Sequence, residues 1–328
     1  MYLEADMVLL HYNNRLYFEM KILIVANYNP GHFSPFVLEQ MESLRKTGME
    51  IDTYGIVGKG ILGYLLNLFG IKKKIREFQP DLIHAHYGLS GLCANLQRKV
   101  PVVTTFHGSD IHSGGWILKL SQLAMRLSAY NIFVSTKMLE MSGYKKNNAC
   151  VQSCGLDLNI IKEIPREQAR EKLGFDKKQK LGLFSGSFDN AIKNYHLAKT
   201  AIEIIPDVEL LELKGYTRTE VNLLMNSCDF QLTTSHRESG PLVVKEAMAC
   251  GTPVVSVDVG DVKDIIGNTD GCFIAKRTPD DLAEKIRMAL AFKGKTQGRQ
   301  RIIDLGLSND LVAKRLVEIY EEVIKNAK

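Results

Sequence analysis

Short, nearly continuous apolar runs alternate with longer amphipathic ones from residue 20 almost to the end of the chain. In the first half the apolar runs fall at 21–27, 50–56, 81–86, 101–106, 130–134 and 149–152, and read as strands. Between them, 33–47, 60–77, 89–98, 116–128 and 135–142 carry apolar positions at helical spacing. Strands with no polar alternation are buried on both faces, so this order predicts a parallel sheet covered by helices on both sides. The pattern pauses over 155–180, where Pro165 and the charged run from Arg166 to Lys180 read as a linker with one helix. It restarts with strands at 181–185, 208–213, 229–233, 253–257 and 272–274 and helices at 193–205, 218–227, 241–250 and 279–293. Helical segments at 297–305 and 308–326 close the chain. The fold class expected is α/β, with two Rossmann-like doubly wound domains facing across a cleft. Such sheets bind ligands at the carboxyl ends of their strands.

Composition narrows the class without changing it. The 328 residues suit two domains at about 150 residues each. A hydrophobic share of 45% and a charged share of 24% exclude collagen-like, coiled-coil and disordered chains. No apolar run reaches the ~18 residues needed to span a bilayer; the longest, Gly60 to Ile71, is broken by Asn67. A net charge of +5 is too small to argue for nucleic acid. The six cysteines are scattered, and Cys150 and Cys154 match no zinc or thioredoxin spacing, so buried free thiols in a reducing cytoplasm are expected. Residues 1–19 lack the layout of a signal peptide and are expected to be a non-native or flexible extension, with Met20 the natural start.

The segment from Ser235 to Val255 carries the most chemistry. A strand ends in a polar loop, and Gly240-Pro241 then opens a helix, where proline's missing N–H costs nothing. Free backbone N–H groups and the helix dipole at such a start bind phosphate. Glu238 precedes the helix and Glu246 lies in its second turn. A carboxylate there suits hydroxyl groups, such as those of a ribose, better than an anion. Phosphate and sugar together predict a nucleotide sugar.

This segment resembles the Glu-x7-Glu signature of the retaining glycosyltransferases of family 4 (glycosyl transferases group 1), which have the GT-B fold. The ending Glu246-Ala247-Met248-Ala249-Cys250-Gly251-Thr252-Pro253 is close to the family's wording. His107-Gly108-Ser109-Asp110 resembles its His-Gly-x-Asp loop, and Asp81-Leu82-Ile83-His84-Ala85-His86 its Asp-hydrophobic-His-x-His strand. Pro30-Gly31-His32 stands where the family has its first glycine loop, Gly155-Leu156-Asp157 resembles the Gly-Val-Asp before the second domain, and Val259-Gly260-Asp261 the loop after the next strand. The likeness runs from about residue 20 to 326.

The resemblance implies a division into an acceptor-binding domain, 20–154, a donor-binding domain, 155–306, and a helix, 307–328, returning to the first. It implies that Glu246 bonds the donor's ribose and Glu238 the donor sugar, and that Gly240, Pro241 and Leu242 present the helix start to the diphosphate. Lys193 matches the family's phosphate-binding lysine, after Gly186. His107 would lie against the donor sugar, and Gly31 would let the first loop approach the diphosphate or acceptor. The activity implied is hexosyl transfer from a UDP- or GDP-sugar to an acceptor hydroxyl in polysaccharide biosynthesis, with retention of configuration. Charge building on the leaving diphosphate would be stabilised by Lys193 and the helix start. With cation and dipole in that role no metal is needed, and no cofactor beyond the nucleotide-sugar co-substrate is implied.

One departure matters. Ser187 stands where the family has an arginine that also grips phosphate; loss of that cation costs about 1.5–3 kcal/mol unless replaced. Arg237 and Lys245 are candidate replacements. A degenerate member that binds nucleotide or glycan without turnover therefore stands as the alternative. The base-contacting residues fall near Lys214 to Thr217.

Other features have simpler readings. His84 and His86 alternate on a strand without nearby cysteines or carboxylates, which makes them a packed strand end and not a metal pair. His107, Ser109 and Asp110 lack the Gly-x-Ser-x-Gly elbow of a hydrolase. Lys72, Lys73, Lys74 and Arg76 follow an apolar run and read as the solvated face of an amphipathic helix or as a contact with an anionic membrane surface. The second reading suits a lipid-linked or cell-surface acceptor and a cytoplasmic protein peripheral to the inner face of the membrane.

Overall fold

The structure is a computed structural model that describes residues 20–29, 31–58 and 60–327. The expected extension, 1–19, lies outside the described residues. The described residues divide into two compact units: those up to Gly155 together with those from Asn309 onward, and Leu156–Ser308.

The first unit is a six-stranded sheet of β1 (Lys21–Asn27), β2 (Glu50–Ile56), β3 (Leu82–His86), β4 (Val102–Phe106), β5 (Tyr130–Phe133) and β6 (Ala149–Val151). All neighbours are parallel, in the order β2-β1-β3-β4-β5-β6. Helices α1 (Pro35–Lys46), α2 (Gly60–Phe78), α3 (Gly88–Asn95), α4 (Ser109–His112), α5 (Gly115–Leu127) and α6 (Thr136–Ser142) connect them. Ile22 and Ile24 of β1 join one core and Leu23 and Val25 another, so alternate side chains are buried on opposite faces of the same strand. That two-sided burial is why the run shows no polar alternation.

The second unit is a five-stranded parallel sheet of β7 (Lys180–Phe184), β8 (Val208–Leu211), β9 (Phe230–Thr233), β10 (Val254–Val257) and β11 (Cys272–Ala275), in the order β11-β10-β9-β7-β8. Its helices are α7 (Arg166–Leu173), α8 (Tyr195–Glu203), α9 (Arg218–Ser227), α10 (Leu242–Ala249), α11 (Val262–Ile266), α12 (Pro279–Ala291) and α13 (Gly298–Asp304). Helix α9 starts on a capping box, with Thr217 and Glu220 each bonding the other's backbone N–H. One core spans this unit, from Leu181 and Leu183 to Val254, Val255 and Ile286.

The final helix, α14 (Asn309–Ala327), belongs to the first unit and buries Leu316, Val317 and Tyr320 with Ile22, Ile24 and Leu44. The strands expected from the sequence all form. Helices α4 and α11 escape a periodic reading because one helical turn shows no repeat. No helix among the described residues is long and apolar enough to cross a membrane.

Candidate functional site

In the second unit the site grows from the ends of β7 and β9. Hydrogen bonds tie the loop after β7 to the loop after β9: Thr234 Oγ1 donates to Lys193 O at 2.9 Å, and the His236 N–H to Ile192 O at 2.9 Å. That coupling brings Lys193 to Glu238, and Lys193 Nζ donates to Glu238 Oε1 at 2.7 Å. Ser235 Oγ donates to the same oxygen at 2.7 Å. Both side chains are mostly buried, 21% and 15% exposed, so the charge-assisted bond is only partly screened. The stem of Lys193 lies over Gly186; a Cβ there would sit 3.1 Å from Lys193 Cε.

Directly after Glu238 the chain turns into α10. Pro241 occupies the N-cap and Leu242 opens the helix, so first-turn N–H groups have no intrahelical partner. Gly260, at φ +58°, packs against the turn; a Cβ would meet Ser239 O at 3.0 Å and Glu238 O at 3.1 Å. The 259–261 loop thus closes on the 238–239 backbone only because residue 260 is glycine. Arg277 adds a bond from its guanidinium to Ser235 O at 2.7 Å.

Glu246 lies in the second turn, 4% exposed, and accepts a bond from the Arg218 guanidinium at 2.5 Å. The sequence reading missed Arg218. Its signal was the capping box at Thr217 and Glu220, which fixes Arg218 in the first turn of α9.

Ser187 is engaged by carboxylates. Its Oγ, with one proton to share, lies within hydrogen-bonding reach of Asp189 and, at 2.8 Å, of Glu212 Oε1, which also accepts the Phe188 N–H at 2.7 Å. These bonds hold the carboxyls of both Asp189 and Glu212 below the usual carboxylate range. The cation the structure brings here is Lys214, 2.9 Å from Asp189. Lys245, one of the expected replacements, is instead fully buried and lies 3.6 Å from Asp261.

In the first unit the site forms after β3 and β4. Asp110, 5% exposed, accepts N–H bonds from His107 at 2.7 Å, Gly108 at 3.4 Å and Gly88 at 3.0 Å, pinning the two loops together. His107 lies edge to edge with His86, the two rings 23° from coplanar with centroids 5.2 Å apart, and its Nε2 lies 3.0 Å from His86 Nδ1. Phe36 and Tyr87 flank it at 4.6 and 4.9 Å. Tyr87 sits at φ +74° and ψ 147°, a conformation that costs a non-glycine residue about 1–3 kcal/mol. Its N–H donates to Thr105 O, and its carbonyl accepts the Gly91 N–H, both at 2.8 Å. His84 bonds Tyr320 OH at 2.6 Å and Thr105 Oγ1 at 2.7 Å. Burial holds His84 and His107 well below the usual histidine range and His86 at about 3. Gly31, at φ +99°, is exposed with nothing within 4 Å of where a Cβ would sit. Among the described residues no group of three His, Cys, Asp or Glu is arranged to hold a metal ion.

Comparison with known proteins agrees with this architecture. The family model for glycosyl transferases group 1 matches residues 209–304, and that for glycosyltransferase family 4 matches residues 43–159. An uncharacterized glycosyltransferase of Methanocaldococcus jannaschii is 29% identical, over 82% of this chain and 79% of its own. The Campylobacter jejuni N,N'-diacetylbacillosaminyl-diphospho-undecaprenol alpha-1,3-N-acetylgalactosaminyltransferase is 23% identical, over 88% and 90%. The HepE structure from Anabaena, solved in complex with UDP, superposes with a TM-score of 0.72 at 18% identity, covering 92% of this chain and 100% of that one. With one family model on each unit and the fold shared along nearly the whole length, the chain belongs to the glycosyltransferases of family 4, group 1, with the GT-B fold.

Proposed function

We propose that this glycosyltransferase moves a hexose from a UDP- or GDP-sugar to a hydroxyl of a lipid-linked or cell-surface glycan precursor, with retention of configuration. The observation that carries the reading is the Lys193–Glu238 pair at the start of α10. It sets a cation and unpaired N–H groups on one side, for a diphosphate, and a carboxylate on the other, for sugar hydroxyls. Glu246, held by Arg218, is the ribose acceptor in this reading. As the glycosidic bond breaks, the leaving diphosphate gains charge, and Lys193 with the helix start stabilises it. The first unit binds the acceptor, with His107 and the Gly31 loop, and the second unit binds the donor. The UDP in the HepE structure supports a uridine nucleotide, and the diphospho-undecaprenol in the Campylobacter relative's name supports a lipid-linked acceptor.

A lipid-linked acceptor places the enzyme at a membrane surface, on the cytoplasmic side. Helix α2 carries Leu66 and Phe69, 63% and 74% exposed, beside exposed Lys72, Lys73 and Arg76, a face suited to an anionic bilayer. Lys74 is not part of that face; its ammonium lies 2.6 Å from Asp52.

The test is a panel of nucleotide sugars with released nucleoside diphosphate as readout. Release from one donor, lost in Glu246→Ala and Lys193→Ala, is expected. Binding of a nucleotide with no release from any donor in the presence of a range of acceptors contradicts it. The second result would favour a binder without turnover, a reading supported by the two carboxylates around Ser187.

A further inference from the structure

We propose that His86 is a positioning residue for His107: its Nδ1 holds His107 Nε2, leaving that ring no nitrogen free to exchange a proton with a ligand. The inference rests on reading His107 as a residue that lies against the donor sugar.

Both nitrogens of His107 face protein atoms. Nε2 is 3.0 Å from His86 Nδ1, and Nδ1 is 3.9 Å from Cys154 Sγ. His86 is fully buried, and among the described residues its own Nε2 has no hydrogen-bond partner. A buried polar atom left unpartnered is costly, so the His86 ring has one good bond, the one to His107. Beneath it His84 stacks at 4.4 Å, and both His84 nitrogens are spent, on Tyr320 of α14 and Thr105 of β4. The result is a column of three imidazoles whose lowest member is clamped from two elements.

The groups facing the column cannot stabilise a proton on it. Asp110 is the one carboxylate with a described bond to it, and it spends its oxygens on three backbone N–H groups. Among the described residues Tyr87, Tyr320 and Cys154 are the other titratable groups in contact with it, and burial pushes both tyrosine hydroxyls up. A second proton on His107 would be a buried charge beside a second buried imidazole. His107 therefore acts by shape and by the fixed aim of its ring, and the acceptor's proton goes to the leaving diphosphate as that group gains charge.

The test uses the full chain with ¹⁵N-labelled histidine. Between about pH 5.5 and 8 the His107 ring nitrogens of the wild type are expected not to titrate. In His86→Leu the bond is lost while the burial that keeps His107 neutral remains, so the ring loses its fixed aim: its nitrogen shifts move without a titration appearing, and kcat falls about 10- to 100-fold with little change in donor KM. In His86→Asn, whose side-chain N–H replaces Nδ1–H, ring and rate return toward wild type. A wild-type His107 that titrates between about 6 and 7 overturns the proposal, as does a His86→Leu variant with unchanged His107 ring-nitrogen shifts and unchanged kcat. Should His86→Leu fail to fold, the wild-type titration and His86→Asn decide. Unchanged turnover in His107→Ala would instead remove His107 from the reaction, and the ring titration would then test His86 separately.

Discussion

Lys193 and Glu238, 45 residues apart, meet at 2.7 Å because the His236 N–H and the Thr234 hydroxyl tie the two loops that carry them together. In the proposed reading this lysine serves two anions in turn, Glu238 in the free protein and a phosphate when a donor is bound. Lys193→Met is expected to lower kcat/KM for the donor by about 1.5–3 kcal/mol, or roughly 10- to 150-fold. Glu238→Gln keeps the hydrogen bond and loses the charge, so it lowers kcat more than it weakens nucleotide binding. Steady-state kinetics with nucleotide titration by calorimetry check both.

Glu246 and Arg218 form a second pair on the same unit, and Glu246 is almost fully buried. Removing one partner strands the other, which is more damaging than losing both. Arg218→Met is expected to weaken nucleotide binding and lower the melting temperature, and Arg218→Met with Glu246→Met to recover stability without recovering binding. Thermal melts of the two variants, with and without UDP, check this.

Asp229 anchors the second unit. It pairs with Arg170 at 3.0 Å and accepts the Leu181 N–H at 2.8 Å, and the Arg170 side chain is 3% exposed. Asp229→Ala leaves that guanidinium without its counter-charge, and a loss of about 3–5 kcal/mol is expected. Denaturant unfolding measures it.

Acid should loosen the first unit. The three histidines of the column are held below the ordinary histidine value by burial, His86 at about 3. Below about pH 6.5 the unfolded chain takes up protons that the folded unit refuses. Stability is therefore complete above about 6.5 and falls as pH drops toward about 3, by about 1.4 kcal/mol per pH unit for His86, with His84 and His107 acting in the same direction. Asp110, whose carboxyl burial pushes up, works in the opposite sense as pH rises through its own folded value. Melting temperatures should hold between about pH 7.5 and 6.5 and fall steadily from there to about 5, and hydrogen exchange should localise the loss to β3 and β4.

Vesicle sedimentation tests the exposed face of α2. Phe69→Asp with Lys72→Glu and Lys73→Glu is expected to abolish binding to anionic liposomes while leaving turnover of a water-soluble acceptor unchanged. Full retention of vesicle binding removes the membrane contact.

The strands were legible in the sequence because each is buried on both faces, as Ile22, Leu23, Ile24 and Val25 show together. Glu238 and Glu246 stood out because proline and glycine punctuate the turn into α10. What stayed hidden depends on distant pairing. Arg218 reaches Glu246 across 28 residues, Ser187 meets Glu212 across 25, and His84 meets Tyr320 across 236. No local period reports such contacts, since they arise from sheet order and crossover connections. The one-turn helices α4 and α11 were hidden for the opposite reason, being too short for a repeat.

The most direct measurement is a crystal structure with UDP or GDP bound. Phosphate oxygens within hydrogen-bonding reach of Lys193 Nζ and the Leu242 N–H, with the ribose on Glu246, are the predicted result. Phosphates bound anywhere else, with Lys193 still closed on Glu238, would contradict it.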